Sequence, residues 1–327
     1  MKTLTILFVT VIMMGVGCSK NEDSGNNPDK PDKPSPLPDL PDPDDVCSCM
    51  DDIIFMQYCY DNFDVNKDGK VSVIEANAAR KIDINSECAS VKGIERFPNI
   101  EILSLNGSSI TELDLRYNLK LKSLSCQDRQ LTTVLLPNTL MAIAFNGCSS
   151  LTEIHLPDNL TSIGEGAFRG CSSLTGIHLP DNLTSIGRAA FSVCSSLTEI
   201  HLPDNLTSIG RAAFSGCSSL TEINLPANLT LIGDHAFADC SSLTEIHLPA
   251  SLTSIGGYAF DQCTSLMKVM CYALTPPTIS GRFLFGFAHS GHLLYNRSEN
   301  LYVPAESIQA YKESPWASDF KNILPIE

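Results

Sequence analysis

The sequence predicts a solenoid, β-rich, made of short parallel strands and short helical turns, with a small helical cap at its start and a second cap at its end. Three observations carry this. The stretch CSSLTEIHLPDNLTSIGEGAFRG begins at Cys148 and returns, little altered, from Cys171, Cys194, Cys217 and Cys240, always at a spacing of 23, with a partial copy from Cys263. A fixed period in this range marks units that stack, because one short unit cannot bury enough apolar surface to order its own backbone. Within each unit the apolar residues fall at strand spacing, and the segments before and after the repeats follow other patterns.

Residues 1–17 carry one positive charge, Lys2, and then an apolar run. The run is too short to span a bilayer and reads as a signal peptide. Gly15-Val16-Gly17-Cys18 resembles a lipoprotein processing box, which implies a mature chain that begins at Cys18 and carries lipid there. Ser19-Lys20-Asn21-Glu22-Asp23 resembles the acidic tag that sends some lipoproteins to the outer face of the bacterial outer membrane, the alternative being a face toward the periplasm. Residues 18–45 form the expected stalk; from residue 24 on they hold seven prolines among alternating Asp and Lys, a composition that stays extended and solvated. The formal charge of −15 argues against a nucleic-acid partner, and membrane contact is expected through the lipid alone.

Residues 46–90 are expected to be a helical cap. Asp64, Asn66, Asp68, Lys70, Ser72 and Glu75 fall at the ligand positions of a twelve-residue calcium loop, with Gly69 at its sharp bend and Val71 packing behind it. This resembles an EF-hand loop, with helices expected over 49–62 and 72–81. Only three formal anions lie in the loop, so an affinity for calcium of ~10⁻⁴ to 10⁻³ M is expected, with a structural role for the ion. Asp83 to Glu87 offers no glycine for a paired second loop.

In each 23-residue unit, Leu151-x-x-Ile154-x-Leu156 sets Ile154 and Leu156 on one side of a strand and His155 on the other. Pro157-Asp158-Asn159 reads as a turn. Leu160 and Ile163 make a second apolar pair, Gly164 permits a left-handed or sharply bent backbone, and Ala167-Phe168 is expected in a short helical turn. The phenylalanines from Phe145 to Phe260 then form a central spine. The pattern LxxIxLPxxLTxIGxxAFxxCSS over 148–270 resembles the leucine-rich repeats of BspA-type bacterial surface proteins, and the fold it implies is a leucine-rich repeat solenoid. Residues 91–147 are similar to a shorter leucine-rich repeat type, with LxxLxL motifs at Leu103, Leu113, Leu124 and Val134 spaced by 10 or 11. Residues 271–327 are expected to form the closing cap; within them residues 301–327 resemble the family's terminal element, with Ile308 and Tyr311 on one face of a short helix, Pro315 ending it, and Trp316 and Phe320 expected to cover the last coil. Ahead of that element, the apolar run from Gly281 either packs on this cap or offers Phe283, Phe285 and Phe287 to a partner.

Of thirteen cysteines, the six that open the repeats stand one rung apart and are expected to stay reduced in a buried ladder. Among Cys47, Cys49, Cys59 and Cys88 a disulfide is open, without a fixed pairing.

The outward positions repeat as well. His155, His178, His201, Asn224 and His247 make one stripe, flanked by Glu153, Gly176, Glu199, Glu222 and Glu245. Two readings stand: a metal-binding or pH-sensitive face, or a by-product of duplicating one unit. No nucleophile, base and orienting group come together in the sequence, so an enzyme is not expected. The family resemblance implies binding, with adhesion to a protein on a host or neighbouring cell as the first expectation. A surface accessory for glycan or nutrient capture and a non-binding structural protein are the alternatives.

Overall fold

The computed structural model describes residues 36–281, 284 and 300–326. The chain divides into two units, Met1–Pro36 and Leu37–Glu327, and the architecture below is that of the second. The expected signal peptide, Cys18 and the stalk through residue 35 lie outside the described residues.

The fold begins with a 3-10 turn over Val46–Cys49, then α1 (Ile53–Phe63) and α2 (Val73–Ala78). Asp52 starts α1 by accepting the amides of Ile54 and Phe55 at 2.9 and 3.0 Å. Ser72 and Glu75 close a capping box on α2. The expected second helix is shorter than its 72–81 span. After Ala78 the sequence Lys81-Ile82-Asp83-Ile84 alternates, and its two isoleucines are buried on one side as strand β1 (Lys81–Ile84). The ordered cap also reaches back before residue 46. Asp45, expected at the end of a solvated stalk, is buried, and its carboxylate accepts the Cys47 and Val71 amides and the Tyr60 hydroxyl at 2.7 Å.

Next come β2 (Ile102–Asn106), β3 (Glu112–Asp114), β4 (Ser123–Gln127), β5 (Thr133–Leu135) and β6 (Ala142–Ala144). β1, β2, β4 and β6 form one parallel sheet, and β3 pairs with β5 in another. Leu103 pairs with Leu124, and Leu113 with Val134. The motif spacing of 10 or 11 is therefore half a coil: successive motifs occupy opposite edges of one turn of the solenoid.

In the 23-residue repeats, β7 (Ser162–Ile163), β8 (Ser185–Ile186), β9 (Ser208–Ile209) and β10 (Leu231–Ile232) stack in parallel. After β11 (Glu245–Leu248), β12 (Ser254–Gly256) continues this sheet; after β13 (Lys268–Cys271), β14 (Thr278–Ser280) ends it. The new sheet starts at β7 because Ile143-Ala144-Phe145 lacks three residues that later coils have between isoleucine and phenylalanine. The core crosses this junction unbroken: Phe145 stacks on Phe168 at 5.8 Å, and Phe168, Phe191, Phe214, Phe237 and Phe260 follow at 5.3 to 5.7 Å, all fully buried.

The other edge of each repeat is held by single parallel bridges, His155 to His178, His178 to His201 and His201 to Asn224. A proline explains the brevity. Pro180, Pro203 and Pro226 stand where the next amide of the ladder would donate, and proline has none. Tyr272 replaces proline in this position, its amide donates to Leu248 O at 3.0 Å, and there the edge lengthens into the β11–β13 pair.

Gly187, Gly210, Gly233 and Gly256, the equivalents of Gly164 on the later coils, serve close approach. None is left-handed, and a Cβ on Gly210 would lie 2.6 Å from the backbone of Gly187 in the coil beneath. The left-handed positions are instead Gly166, Ala189, Ala212, His235 and Tyr258, and Gly170, Val193, Gly216, Asp239 and Gln262. Ala167-Phe168 accordingly sits in a run of turns and not in a helix. The amides of Gly166, Phe168 and Gly170 all reach forward, to the carbonyls of Arg188, Ala190 and Ser192.

Past the repeats, β15 (Asn300–Val303) and β16 (Asn322–Pro325) add to β11 and β13, with α3 (Ile308–Lys312) between them. Tyr311 and Trp316 are fully buried; the Tyr311 hydroxyl donates to Ala273 O and the Trp316 indole to Pro277 O at 2.8 Å. Leu284 is buried here as well, its amide donating to Asp319. Phe283, Phe285 and Phe287 lie outside the described residues.

Candidate functional site

Repetition makes the inner surface uniform, with each side chain answering the same group one coil away. The thiol of Cys171 donates to Phe145 O at 3.1 Å, and those of Cys194, Cys217, Cys240 and Cys263 donate likewise to Phe168, Phe191, Phe214 and Phe237. The cysteine is thus a buried donor as well as a small apolar filler. Burial pushes Cys194 and Cys263 up to about 12 and Cys88 up to about 11. The described cysteines are all free thiols, Cys47, Cys49, Cys59 and Cys88 included. Asn182, Asn205 and Asn228 donate to the carbonyls of Asp158, Asp181 and Asp204, and Thr184, Thr207 and Thr230 to the threonine carbonyls of the preceding coil.

What remains for function faces outward. The histidine stripe is exposed from His155 to His201, and His178 and His201 with Glu199, Glu222 and Asn224 line a shallow groove that runs across three coils. Glu153 lies exposed beside the stripe at its first coil. At its far end His247 lies 3.2 Å from the Tyr272 hydroxyl and 3.7 Å from Glu245, which also faces Lys268 at 3.8 Å. Among the described residues no three His, Cys, Asp or Glu side chains converge as a metal site.

The residues of the expected calcium loop lie together between the end of α1 and the start of α2, with Ser72 capping α2 and Glu75 inside it. Lys67 and Gly69 are left-handed, as the sharp bend requires, and Val71 is fully buried behind it. Asp64 accepts the amides of Asp68 and Gly69, Asn66 that of Asp68, and Asp68 that of Lys70. Glu75 takes the Val65 and Asn66 amides on one oxygen and the Ser72 amide and hydroxyl on the other. The donor set is all oxygen, which suits a hard cation. An ion would compete with the four hydrogen bonds that hold Glu75. Ser72 and Glu75 also have the capping role just described, which the S-x-x-E spacing signals.

No helix among the described residues is long and apolar enough to cross a membrane. Comparison with curated proteins finds no match. A family described as "BspA type Leucine rich repeat region" matches residues 138–267 in six copies. Among solved structures, a leucine-rich repeat protein of T. pallidum is 37% identical over 36% of this chain and 58% of its own, at a TM-score of 0.36, so this chain spans little more than half of that protein's length. A leucine-rich repeat protein from Bacteroides ovatus is 21% identical over 77% of this chain and 76% of its own, at 0.37. The pneumococcal vaccine antigen PcpA is 16% identical over 77% of this chain and 78% of its own, at 0.40. Residues 138–267 thus match the BspA type of leucine-rich repeat, and the architecture described above is a leucine-rich repeat solenoid.

Proposed function

We propose that this is a surface-displayed binding protein whose Glu/His face docks a protein on a host or neighbouring cell. The observation that carries the reading is the stripe itself: exposed histidines and glutamates recur in register on neighbouring coils, with Gly176 and Asn224 as the exceptions, over a stacked core. A periodic face engages an extended partner at several points, and weak contacts add through avidity. The test is a binding screen of the full chain against immobilised extracellular-matrix proteins, repeated with Glu199→Lys/Glu222→Lys. Retention that the double variant abolishes supports the reading; retention unchanged by it, or none at all, overturns it.

Two parts of this proposal concern the N-terminal region. Lipid on Cys18 would provide the anchor in the outer membrane, and Cys18→Ala should release the chain from membranes and end incorporation of labelled fatty acid. Calcium at Asp64, Asn66, Asp68, Lys70, Ser72 and Glu75 would stiffen the cap. Millimolar calcium should then raise the melting temperature, EDTA should lower it, and Asp64→Ala/Asp68→Ala should remove the difference.

A further inference from the structure

The repeats are not uniform everywhere. At nineteen of their 23 positions the five copies use at most two residue types, but at the four positions that hold Glu165, Gly166, Arg169 and Gly170 in the first copy each uses four. These positions read Glu-Gly-Arg-Gly, Arg-Ala-Ser-Val, Arg-Ala-Ser-Gly, Asp-His-Ala-Asp and Gly-Tyr-Asp-Gln through the stack. They surround the invariant Ala-Phe pair, and in space they form one feature: a groove of about 460 Å³, lined, apart from Asn146, by residues from these four columns alone.

Two further observations mark this groove. Residues 148–262 contain three cations, Arg169, Arg188 and Arg211, and all three are exposed and line it, in a chain whose formal charge is −15. A single long contact to Glu165, 3.7 Å from Arg188 and itself exposed, holds little of that charge. Moreover, two of the four columns are left-handed, yet the residues they contribute to the groove include Ala189, Ala212, His235 and Asp239, where glycine would remove the strain. Side chains held against backbone preference, on the one surface that varies, point to a site.

The lining defines the ligand. Beyond the arginines it offers Ser192, Ser215 and His235, with alanine as its apolar content and no pocket for a large apolar anchor of the kind that protein partners use. At the far end, Asp239 supplies an acceptor for hydroxyl groups, and His235 stacks with Tyr258 at 5.2 Å as a flat ledge. We propose that this groove is a second binding site that takes an acidic polysaccharide, its carboxylate or sulfate groups pairing with Arg169, Arg188 and Arg211 and its hydroxyls with the serine and aspartate groups. Arg188 and Arg211 stand one rung apart, ~4.8 Å along the stack, so charges repeated along a chain meet cations repeated along the groove. Arginine's planar fork suits either acid.

The test is affinity electrophoresis of the full chain through gels holding polygalacturonate, dextran sulfate, neutral dextran or poly-L-glutamate. Retardation is expected in at least one acidic polysaccharide and not in neutral dextran. The first two gels distinguish carboxylate from sulfate recognition. Arg188→Gln/Arg211→Gln should weaken binding at least tenfold, and raising the salt should weaken it further. The melting temperature should hold, because both side chains are exposed. Glu199→Gln/Glu222→Gln, in the histidine-lined groove, which shares no lining residue with this one, should leave the retardation in place. The proposal is overturned by no retardation, by equal retardation of the arginine variant, by equal retardation in neutral dextran, or by poly-L-glutamate binding as tightly as the polysaccharides, which would mark a peptide site.

Discussion

Replacing Gly210 by alanine tests the stacking at one atom. The added Cβ would lie 2.6 Å from Gly187 C and 2.8 Å from Arg188 N, backbone atoms of the coil beneath. The first of these falls about 0.8 Å short of the 3.4 Å at which ordinary contact begins. Backbone cannot swing aside as a flexible side chain would, so the two coils must part there. The amide of Gly210 donates to Ile186 O at 2.7 Å, and parting the coils stretches that bond. Overpacking of this kind costs about 1–3 kcal/mol, and for a chain of this size that lowers Tm by roughly 2–6 °C. The structure supplies its own control. Gly164 holds the same place in the first full repeat, but nothing lies within 4 Å of its Cβ direction, because the coil beneath lacks three residues. Gly164→Ala should leave Tm unchanged or raise it slightly, by restricting the unfolded chain. Differential scanning calorimetry of the two variants decides. Equal losses in both, or no loss in Gly210→Ala, would refute the stacking argument.

Three further expectations follow from the core and the caps. Burial raises the ladder thiols from Cys171 to Cys263 above their ordinary value of 9.0, Cys194 and Cys263 to about 12. Their stabilising protonation is complete below pH 9 and is lost as pH rises toward the folded values, by roughly 1.4 kcal/mol per thiol per unit. Melting should therefore drop steeply between pH 9 and 11 and more gently in Cys194→Ala/Cys217→Ala, and iodoacetamide at pH 8 should label the ladder only after unfolding. Asp52 has its carboxyl held below the ordinary value: burial opposes this, but amides of Phe55, Ala89 and Ile54 outweigh it. Asp52→Ala should cost about 1 kcal/mol at pH 7 in urea titration, and the difference from wild type should shrink as pH falls below 3.8. Trp316→Ala should cost about 3–5 kcal/mol and expose the last coil, read as a lower Tm and as aggregation in light scattering.

The 23-residue period was legible because every residue in it faces its own copy. Phe168 needs Phe191 above it, Asn159 has Asn182 as its successor, and errors in one coil would propagate to the next. Less was legible where a residue serves two masters or where the pattern is short. Ser72 and Glu75 fit an ion-binding loop and also cap a helix, and a one-dimensional motif does not rank the two. Lys81–Ile84 is a four-residue strand next to a helix, and its alternation is too brief to stand out before its partner Ile102–Asn106 is known. The earlier motifs, spaced by 10 or 11, did not by themselves reveal that each step is half a coil, because both edges of a coil carry the same LxxLxL pattern. At Gly164, the invariant glycine, a left-handed or sharply bent backbone was expected; the left-handed residues lie instead at positions where alanine, valine, histidine and tyrosine also occur. For the candidate sites, the Glu/His stripe could be read from its repetition. The arginine groove could not, because its signal is difference between copies: attention to what recurs passes over what varies.

The hydrogen bonds between coils have a consequence for how such a chain changes length. Thr184 answers Thr161 in the same way that Thr207 answers Thr184, and the thiols and asparagines follow suit. Removing residues 194–216, or inserting another such block, would rejoin like to like and leave no donor unmet. Unequal recombination within the gene can therefore shorten or extend the protein in whole coils without a folding defect. Each event would also delete or add one rung of the arginine groove, so a population of such genes would vary in reach and in charge at the same stroke.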